Sequence, residues 1–308
     1  MTLRACLLNQ WLRRVEKPAM ARASEPQQLR RRFEVNAKLF FHAPFGTQMQ
    51  WQVLEHGQRR VEALEVVPRT LSTDVTLLYI HGGGFVFGSP RAYAAMAGNL
   101  GKRLGSRVVL PRYRLAPEAP FPAAPDDVRT VWDSLCATGL KPDQIVVGGD
   151  SAGGALALAL LGELVAEGAE LPGAVFCFSP LTDMRYESES LRQNAAIEAV
   201  LPTEKIGETV RMYLQGHPVD DPRASPLLAK FEGASPVWIT AGDTEVLRDD
   251  ARHMAAHLTA SGVTCTYDEK RDLPHVWPLF HNTLPEARET LDDLAGWIRQ
   301  QLGLPDEN

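Results

Sequence analysis

From residue 75 onward, short uninterrupted apolar runs alternate with longer amphipathic stretches. Val75–Ile80, Arg107–Leu110, Ile145–Val147, Ala174–Phe178, Pro236–Ala241 and Val263–Tyr267 are brief and rich in β-branched or aromatic residues, the mark of strands rather than helices. Between them the apolar spacing widens to a helical period, over 126–137, 155–161, 250–261 and 286–302. Ser89-Pro90 predicts an N-cap and a proline in the first turn of a further helix reaching Leu104. Strands that are apolar on both faces and alternate with helices belong in a mostly parallel sheet covered on both sides. Two alternating runs upstream, Trp51–Glu55 and Arg60–Val67, predict an antiparallel hairpin at its start. The expected fold class is therefore α/β, with a central sheet of about eight strands flanked by helices.

Two stretches depart from this rhythm. Residues 1–45 are amphipathic and helical, with one apolar stripe at Leu7, Leu8, Trp11 and Val15 and a second at Leu29, Phe33, Leu39, Phe40 and Phe41. Arginines fill the other faces. A helix pair docked on the core or part of a lid fits this pattern; a membrane-surface helix is disfavoured by the shortness of the apolar faces. Residues 184–217 are polar and helical in pattern, anchored by Leu191, Ile197, Val200, Leu201, Ile206, Val210 and Tyr213.

Composition narrows the function. With 308 residues, 44% hydrophobic and 23% charged, the chain can form one large domain with an accessory lid, or two domains. A net charge of −6 offers no basic footprint for nucleic acid or an anionic membrane. Cys6, Cys136, Cys177 and Cys265 are widely scattered, without metal-ligand or C-x-x-C spacing, and read as reduced thiols. No apolar run is long enough for a bilayer span, and the first residues are too polar for a signal peptide, so a cytoplasmic protein without a stable membrane anchor is expected.

The chemistry concentrates at Gly149-Asp150-Ser151-Ala152-Gly153, which follows the run Ile145–Val147 and precedes the small, helix-prone run 155–161. A strand, sharp turn and helix around Gly-x-Ser-x-Gly is the setting of a nucleophile elbow, whose strained turn exposes the serine hydroxyl. Serine needs a general base, itself oriented by a carboxylate, in the chain order Ser, Asp/Glu, His. His275, just after the last predicted strand, is the best-placed base; His281 is six residues beyond it. His253 and His257 share a helix face but lack the glutamate of a zinc motif, and read as solvated. His217 reads as a loop residue. Two acids follow the strand Pro236–Ala241, Asp243 and Glu245, and either satisfies the role; Asp249 and Asp250 read as the charge-matched start of the next helix. His81-Gly82-Gly83-Gly84 after the strand Val75–Ile80 lets backbone N–H groups converge on one oxygen, with Gly83, Gly84 and Ala152 as expected oxyanion donors.

His81-Gly82-Gly83-Gly84-Phe85, Tyr113-Arg114-Leu115-Ala116-Pro117-Glu118, Gly149–Gly154 and Glu245-Val246-Leu247-Arg248-Asp249 together resemble the bacterial hormone-sensitive lipase family of α/β-hydrolases, from about residue 75 to 281. The resemblance implies that Glu245, first acid of acid-x-Leu-x-Asp, completes a triad with Ser151 and His275, although many members carry aspartate there. It implies a cap made of residues 1–45 and 184–217 over a core of 46–183 and 218–308, and a structural His81 that pins its loop by hydrogen bonds. Arg112 and Ala119 depart from the usual aspartate and histidine around the Tyr-Arg-Leu-Ala-Pro-Glu stretch. The implied activity is cofactor-free and metal-free hydrolysis of short- to medium-chain acyl esters, with a small-molecule ester as partner and homodimerisation near Val263–Tyr267. Phe85, Phe87, Phe40, Met184 and Tyr213 are candidate pocket walls. A lactonase, a natural-product deacetylase or an amidase would use the same groups, and a receptor of this fold without turnover is the remoter alternative.

Overall fold

A computed structural model describes residues 2–305. An eight-stranded sheet forms the centre: β1 (Gln48–His56), β2 (Arg59–Val67), β3 (Thr76–Ile80), β4 (Arg107–Pro111), β5 (Ile145–Asp150), β6 (Ala174–Phe178), β7 (Val237–Gly242) and β8 (Cys265–Lys270). Their spatial order is β1-β2-β4-β3-β5-β6-β7-β8; β1, β2 and β4 pair antiparallel in succession, and every other pair is parallel. The expected hairpin is thus β1–β2. The last strand lies later than predicted, because Val263 is buried in the turn that donates its N–H to the Leu258 carbonyl.

The helices are α1 (Leu3–Trp11), α2 (Lys17–Arg22), α3 (Pro26–Phe40), α4 (Pro90–Leu104), α5 (Ala123–Ala137), α6 (Ala152–Glu167), α7 (Ser190–Gln193), α8 (Ile206–Leu214), α9 (Arg248–Ala260) and α10 (Pro285–Leu302). Helices α4 and α10 cover one sheet face around Leu77, Tyr79, Phe176 and Trp238; α5, α6 and α9 cover the other around Leu78, Ile80, Val147 and Ile239. Ser89 caps α4 by accepting the Ala92 N–H, with Pro90 at the first position. Helix α6 is apolar almost all round, so it sits within the molecule rather than on its surface. It starts hard against the sheet: a Cβ on Gly153 would lie 2.0 Å from the Ile80 carbonyl oxygen, a backbone atom with nowhere to move.

The N-terminal stripe is corrected. Leu7, Trp11 and Val15 are exposed, Leu8 is half-buried, and the docked face is instead Ala5, Asn9 and Leu12. A small residue and a hydrogen bond decide this: Ala5 sits against Leu273, Trp277 and Leu284, and the Asn9 amide donates to the Asp272 carbonyl at 2.9 Å. A π turn over Leu12–Glu16 joins α1 to α2. Beyond it, Lys17 donates to the carbonyls of Ala195 and Glu198 and Arg13 to that of Ile197, so these helices lie against the 184–217 segment.

That segment is less helical than its pattern predicts, with only the single turn α7, a 3-10 turn and α8. Buried carboxylates shape it instead. Asp250 accepts the N–H groups of Thr182 and Asp183 and the Ser188 hydroxyl, and Asp249 accepts the Ser190 N–H. Both acids do lie in the first turn of α9, as charge matching predicts, but they are buried against this loop. Burial pushes Asp250 up to about 6 against the pull of those donors.

Candidate active site

Four parallel strands end at one place, and each delivers one component there. Between β5 and α6, Ser151 adopts φ 50°, ψ −119°, a left-handed-side conformation that costs an L-residue about 1–3 kcal/mol and is held by its surroundings. Its N–H donates to the Phe178 carbonyl at 2.8 Å and its carbonyl accepts from Leu181 and Ala155. After β8, His275 lies buried with Nδ1 2.7 Å from Glu245 Oε2. Glu245 follows β7 and is itself fully enclosed, its other oxygen accepting the Gly242 N–H and the Ser179 hydroxyl. With Nδ1–H directed at Glu245, His275 keeps Nε2 as an acceptor. Ser151 and His275 line the same cavity.

Glu245 and Asp243, alternatives in the sequence, do different things. Asp243 turns away and accepts the Asp272 N–H at 2.7 Å, which shapes the loop that carries His275. His281 is buried rather than loosely placed, near the His42 carbonyl and 6.4 Å from the Phe41 ring. His253 is exposed as expected, but His257 is half-buried rather than solvated, because its ring meets the Ala229 carbonyl at 2.8 Å and the Phe231 ring at 5.7 Å.

The glycine loop after β3 completes the arrangement. Gly83 has φ 113°, where L-residues are strained, and a Cβ there would lie 2.1 Å from the Phe87 carbonyl oxygen. Its carbonyl closes a tight turn by accepting from Val86 and Phe87. Gly82 N–H is engaged by Asp150 at 2.9 Å. Among the described residues, the N–H groups of Gly83 and Gly84 have no such partner, and Gly83 and Gly84 line the cavity beside Ser151. Ala152 is the first residue of α6, where a helix leaves its N–H groups unpaired and positive.

Electrostatics divide the buried groups by task. Burial alone would lower His275, but the adjacent Glu245 carboxylate, joined by the charges of Glu198 and Asp150, outweighs it and holds the imidazole above its ordinary value. Burial raises Glu245 above the usual carboxylate range despite the opposing pull of His275. His81 is pushed down to about 4 by burial and is neutral near pH 7. It serves the loop: Nδ1 lies 2.8 Å from the Gly82 carbonyl, and its ring stacks 4.4 Å from Tyr113, whose hydroxyl donates to the His81 carbonyl. Burial lifts Asp150 to about 6; it accepts the Tyr79 hydroxyl at 2.7 Å, the Tyr93 hydroxyl at 3.1 Å and Gly82 N–H, tying the elbow to the glycine loop.

Several supporting residues carry little sequence signal. Ser179, at φ 47° after β6, donates to Glu245 and accepts the Val276 N–H at 3.1 Å. Asn194 donates to the carbonyls of Asp243 and Glu245. Glu198 accepts Val246 N–H with one oxygen and Val200 and Leu201 N–H with the other, joining the 184–217 segment to the acid loop. Glu198→Gln presents N–H groups to one set of those donors, which is expected to cost about 1–3 kcal/mol in urea unfolding. Loosening of the Glu245 loop is expected to lower kcat about tenfold or more with little change in KM. The serine-proline pair after a strand could have pointed to Ser179; nothing in the sequence marks Glu198.

Of the candidate pocket walls, Phe40 and Phe87 line the cavity. Phe85, Met184 and Tyr213 are core: Phe85 turns inward at φ 63° and stacks on Tyr213 at 3.8 Å. The two departures lie off the cavity lining: Arg112 pairs with Glu62 at 2.8 Å, and Ala119 donates its N–H to the Leu115 carbonyl at 3.0 Å.

A parallel sheet with a serine elbow at the end of β5 and a histidine–carboxylate pair beyond β7 and β8 defines an α/β-hydrolase, and a family model described as alpha/beta hydrolase fold matches residues 77–279. An acetyl-hydrolase of Streptomyces hygroscopicus is 36% identical, covering 74% of this chain and 76% of its own. An esterase of Acinetobacter venetianus is 32% identical over 75% of this chain and 77% of its own. The solved structure of an esterase from the bacterial hormone-sensitive lipase family is 32% identical, with a TM-score of 0.91 over 98% of this chain and 99% of that one. The chain belongs to the bacterial hormone-sensitive lipase family.

Proposed function

We propose that this protein is a serine carboxylesterase in which Ser151, His275 and Glu245 form the triad and Gly83, Gly84 and Ala152 the oxyanion hole. The observation that carries the reading is the buried 2.7 Å contact from His275 Nδ1 to Glu245, in a histidine that shares its cavity with the strained Ser151. Ser151 Oγ bonds to the ester carbonyl carbon as its proton passes to His275 Nε2, and the oxyanion is held by the three N–H groups. The carbon–oxygen bond to the alcohol breaks as His275 returns the proton to the leaving oxygen. Water then attacks the acyl-enzyme by the same route, releasing the carboxylic acid and restoring Ser151. Every proton and bond in this cycle is accounted for by these side chains, the ester and water.

The cavity opens to solvent and its walls are mainly apolar, including Leu29, Phe33, Phe87, Leu201, Ile206 and Met212. These come from residues 1–45 and 184–217 as well as the sheet end, which supports the division into a two-part cap, 1–45 with 184–217, over a core of 46–183 and 218–308. Such walls suit short- to medium-chain acyl groups. The acetyl-hydrolase relative favours a second reading, removal of an acetyl group from a larger alcohol, with the same groups at work. Comparing kcat/KM for aryl acetate, butyrate and octanoate esters with a lactone and an anilide tests both. Ester turnover that peaks at butyrate or a longer chain supports the first reading, a sharp acetate preference the second; faster lactone or anilide turnover overturns both.

No helix among the described residues is long and apolar enough to cross a membrane. The proposal places the enzyme in the cytoplasm, a reading supported by four unpaired cysteines. It also includes a homodimer joined at the outer edge of β8, the last strand of the sheet; light scattering showing a strict monomer would remove that element.

A further inference from the structure

Charge is distributed very unevenly along this chain. The first 45 residues carry nine lysines and arginines against three glutamates, whereas the remaining 263 carry 23 against 35. The N-terminal helices are thus a basic element on an acidic body. Among the described residues, Arg14, Arg22, Arg31 and Lys38 are exposed and form no hydrogen bond or ion pair within the chain.

The same helices expose the apolar groups that amphipathic docking leaves uncovered. Leu3, Leu7 and Trp11 recur every fourth residue and share the outer face of α1, with Leu3 75% and Leu7 62% exposed. Arg14, in the π turn that follows, is exposed next to it in sequence. On α3, Arg31, Val35, Lys38 and Leu39 share an outer face by the same spacing, and Leu39 is 63% exposed. The Trp11 and Phe40 rings join the two helices at 5.9 Å, and both residues are part-exposed and also line the catalytic cavity. An exposed apolar strip ringed by unpaired cations therefore continues into the site.

We propose that this face docks reversibly on an anionic lipid surface and opens the cavity mouth directly onto it. Leucine and tryptophan side chains enter the boundary between headgroups and acyl chains, while the surrounding arginines and Lys38 meet lipid phosphates. The acidic body is repelled by the same surface, which orients the N-terminal helices toward it. Charge complementarity selects this occupant over a second copy of the chain, because a two-fold contact would set the basic face against itself. The consequence for catalysis, entry of lipid-dissolved esters without passage through water, rests on the esterase reading; the docking itself does not.

The test is co-sedimentation of the full chain with vesicles of phosphatidylcholine alone and of phosphatidylcholine mixed with phosphatidylglycerol, at low and high salt. Binding to the anionic vesicles at least tenfold stronger, and weakened by salt, is expected. Leu7→Asp with Leu39→Asp, both outside the cavity, is expected to cut that binding at least tenfold while leaving turnover of a dissolved aryl acetate unchanged. Ser151→Ala is expected to bind as the native chain does, so docking and ester hydrolysis fail separately. The proposal is overturned if vesicles are not bound, if both vesicle types are bound equally, or if the native chain is a dimer that the double variant splits.

Discussion

Ser151→Ala is expected to lower kcat for p-nitrophenyl butyrate by about four orders of magnitude or more while leaving KM close to the native value, because triad members act as a unit and the loss of one removes nearly all their joint effect. The residue left behind has no hydroxyl to form the acyl bond, yet the oxyanion donors and the cavity persist. The variant is expected to fold, since the hydrogen bonds that hold position 151 are made by its backbone: N–H to the Phe178 carbonyl and carbonyl to the Leu181 N–H. Its thermal midpoint, followed by circular dichroism, should therefore remain near that of the native protein. A folded variant retaining a tenth of the activity would exclude Ser151 as the nucleophile.

The second large effect separates two acids that lie two residues apart. Glu245→Gln is expected to reduce kcat by about 10⁴-fold, because an amide N–H facing Nδ1 favours the tautomer whose proton sits on Nε2, where a base is needed. Asp243→Asn is expected to change kcat by about threefold at most, since an amide oxygen still accepts the Asp272 N–H. The two variants also differ in pH dependence. The base works only when neutral, so activity falls as pH drops through the His275 pKa. Glu245 holds that pKa above the ordinary value. The residual activity of Glu245→Gln should accordingly persist to lower pH than that of the native enzyme, whereas Asp243→Asn keeps the native acid limb. A kcat/KM profile from pH 4 to 9 reads both outcomes, and an unshifted limb in Glu245→Gln would detach Glu245 from the base.

Most of the fold is legible in the sequence because a buried parallel strand has a strong signature. Both faces of β3, β5 and β6 are covered, so their apolar runs are continuous and stand out. The elbow and the glycine loop are equally visible, since only glycines tolerate the close backbone approaches at Gly83 and Gly153. Periodicity misleads where burial is decided by something other than apolar area. In α1 the stripe of large residues faces out, and the docked face is chosen by Ala5 and by the amide of Asn9. The 184–217 segment takes its path from Asp249 and Asp250, sixty residues downstream, which local patterning does not reveal. The pocket walls follow the same logic. At Phe85 a positive φ reverses the side chain into the core against Tyr213, while Phe87 two residues later faces the cavity. Glu245 and Asp243 are chemically alike, and they part only in three dimensions, where Ser179 and Gly242 fix one against His275 and the Asp272 loop engages the other.

The most direct test of the central claim is to trap the intermediate. The enzyme is mixed with excess p-nitrophenyl butyrate, quenched in acid within the first turnovers and analysed by mass spectrometry after digestion. A butyryl group is expected on the peptide containing Ser151, accompanied by a burst of p-nitrophenol matching the enzyme concentration, with neither seen in Ser151→Ala. A butyryl group on another residue, or an undiminished burst in Ser151→Ala, would contradict the triad proposed here.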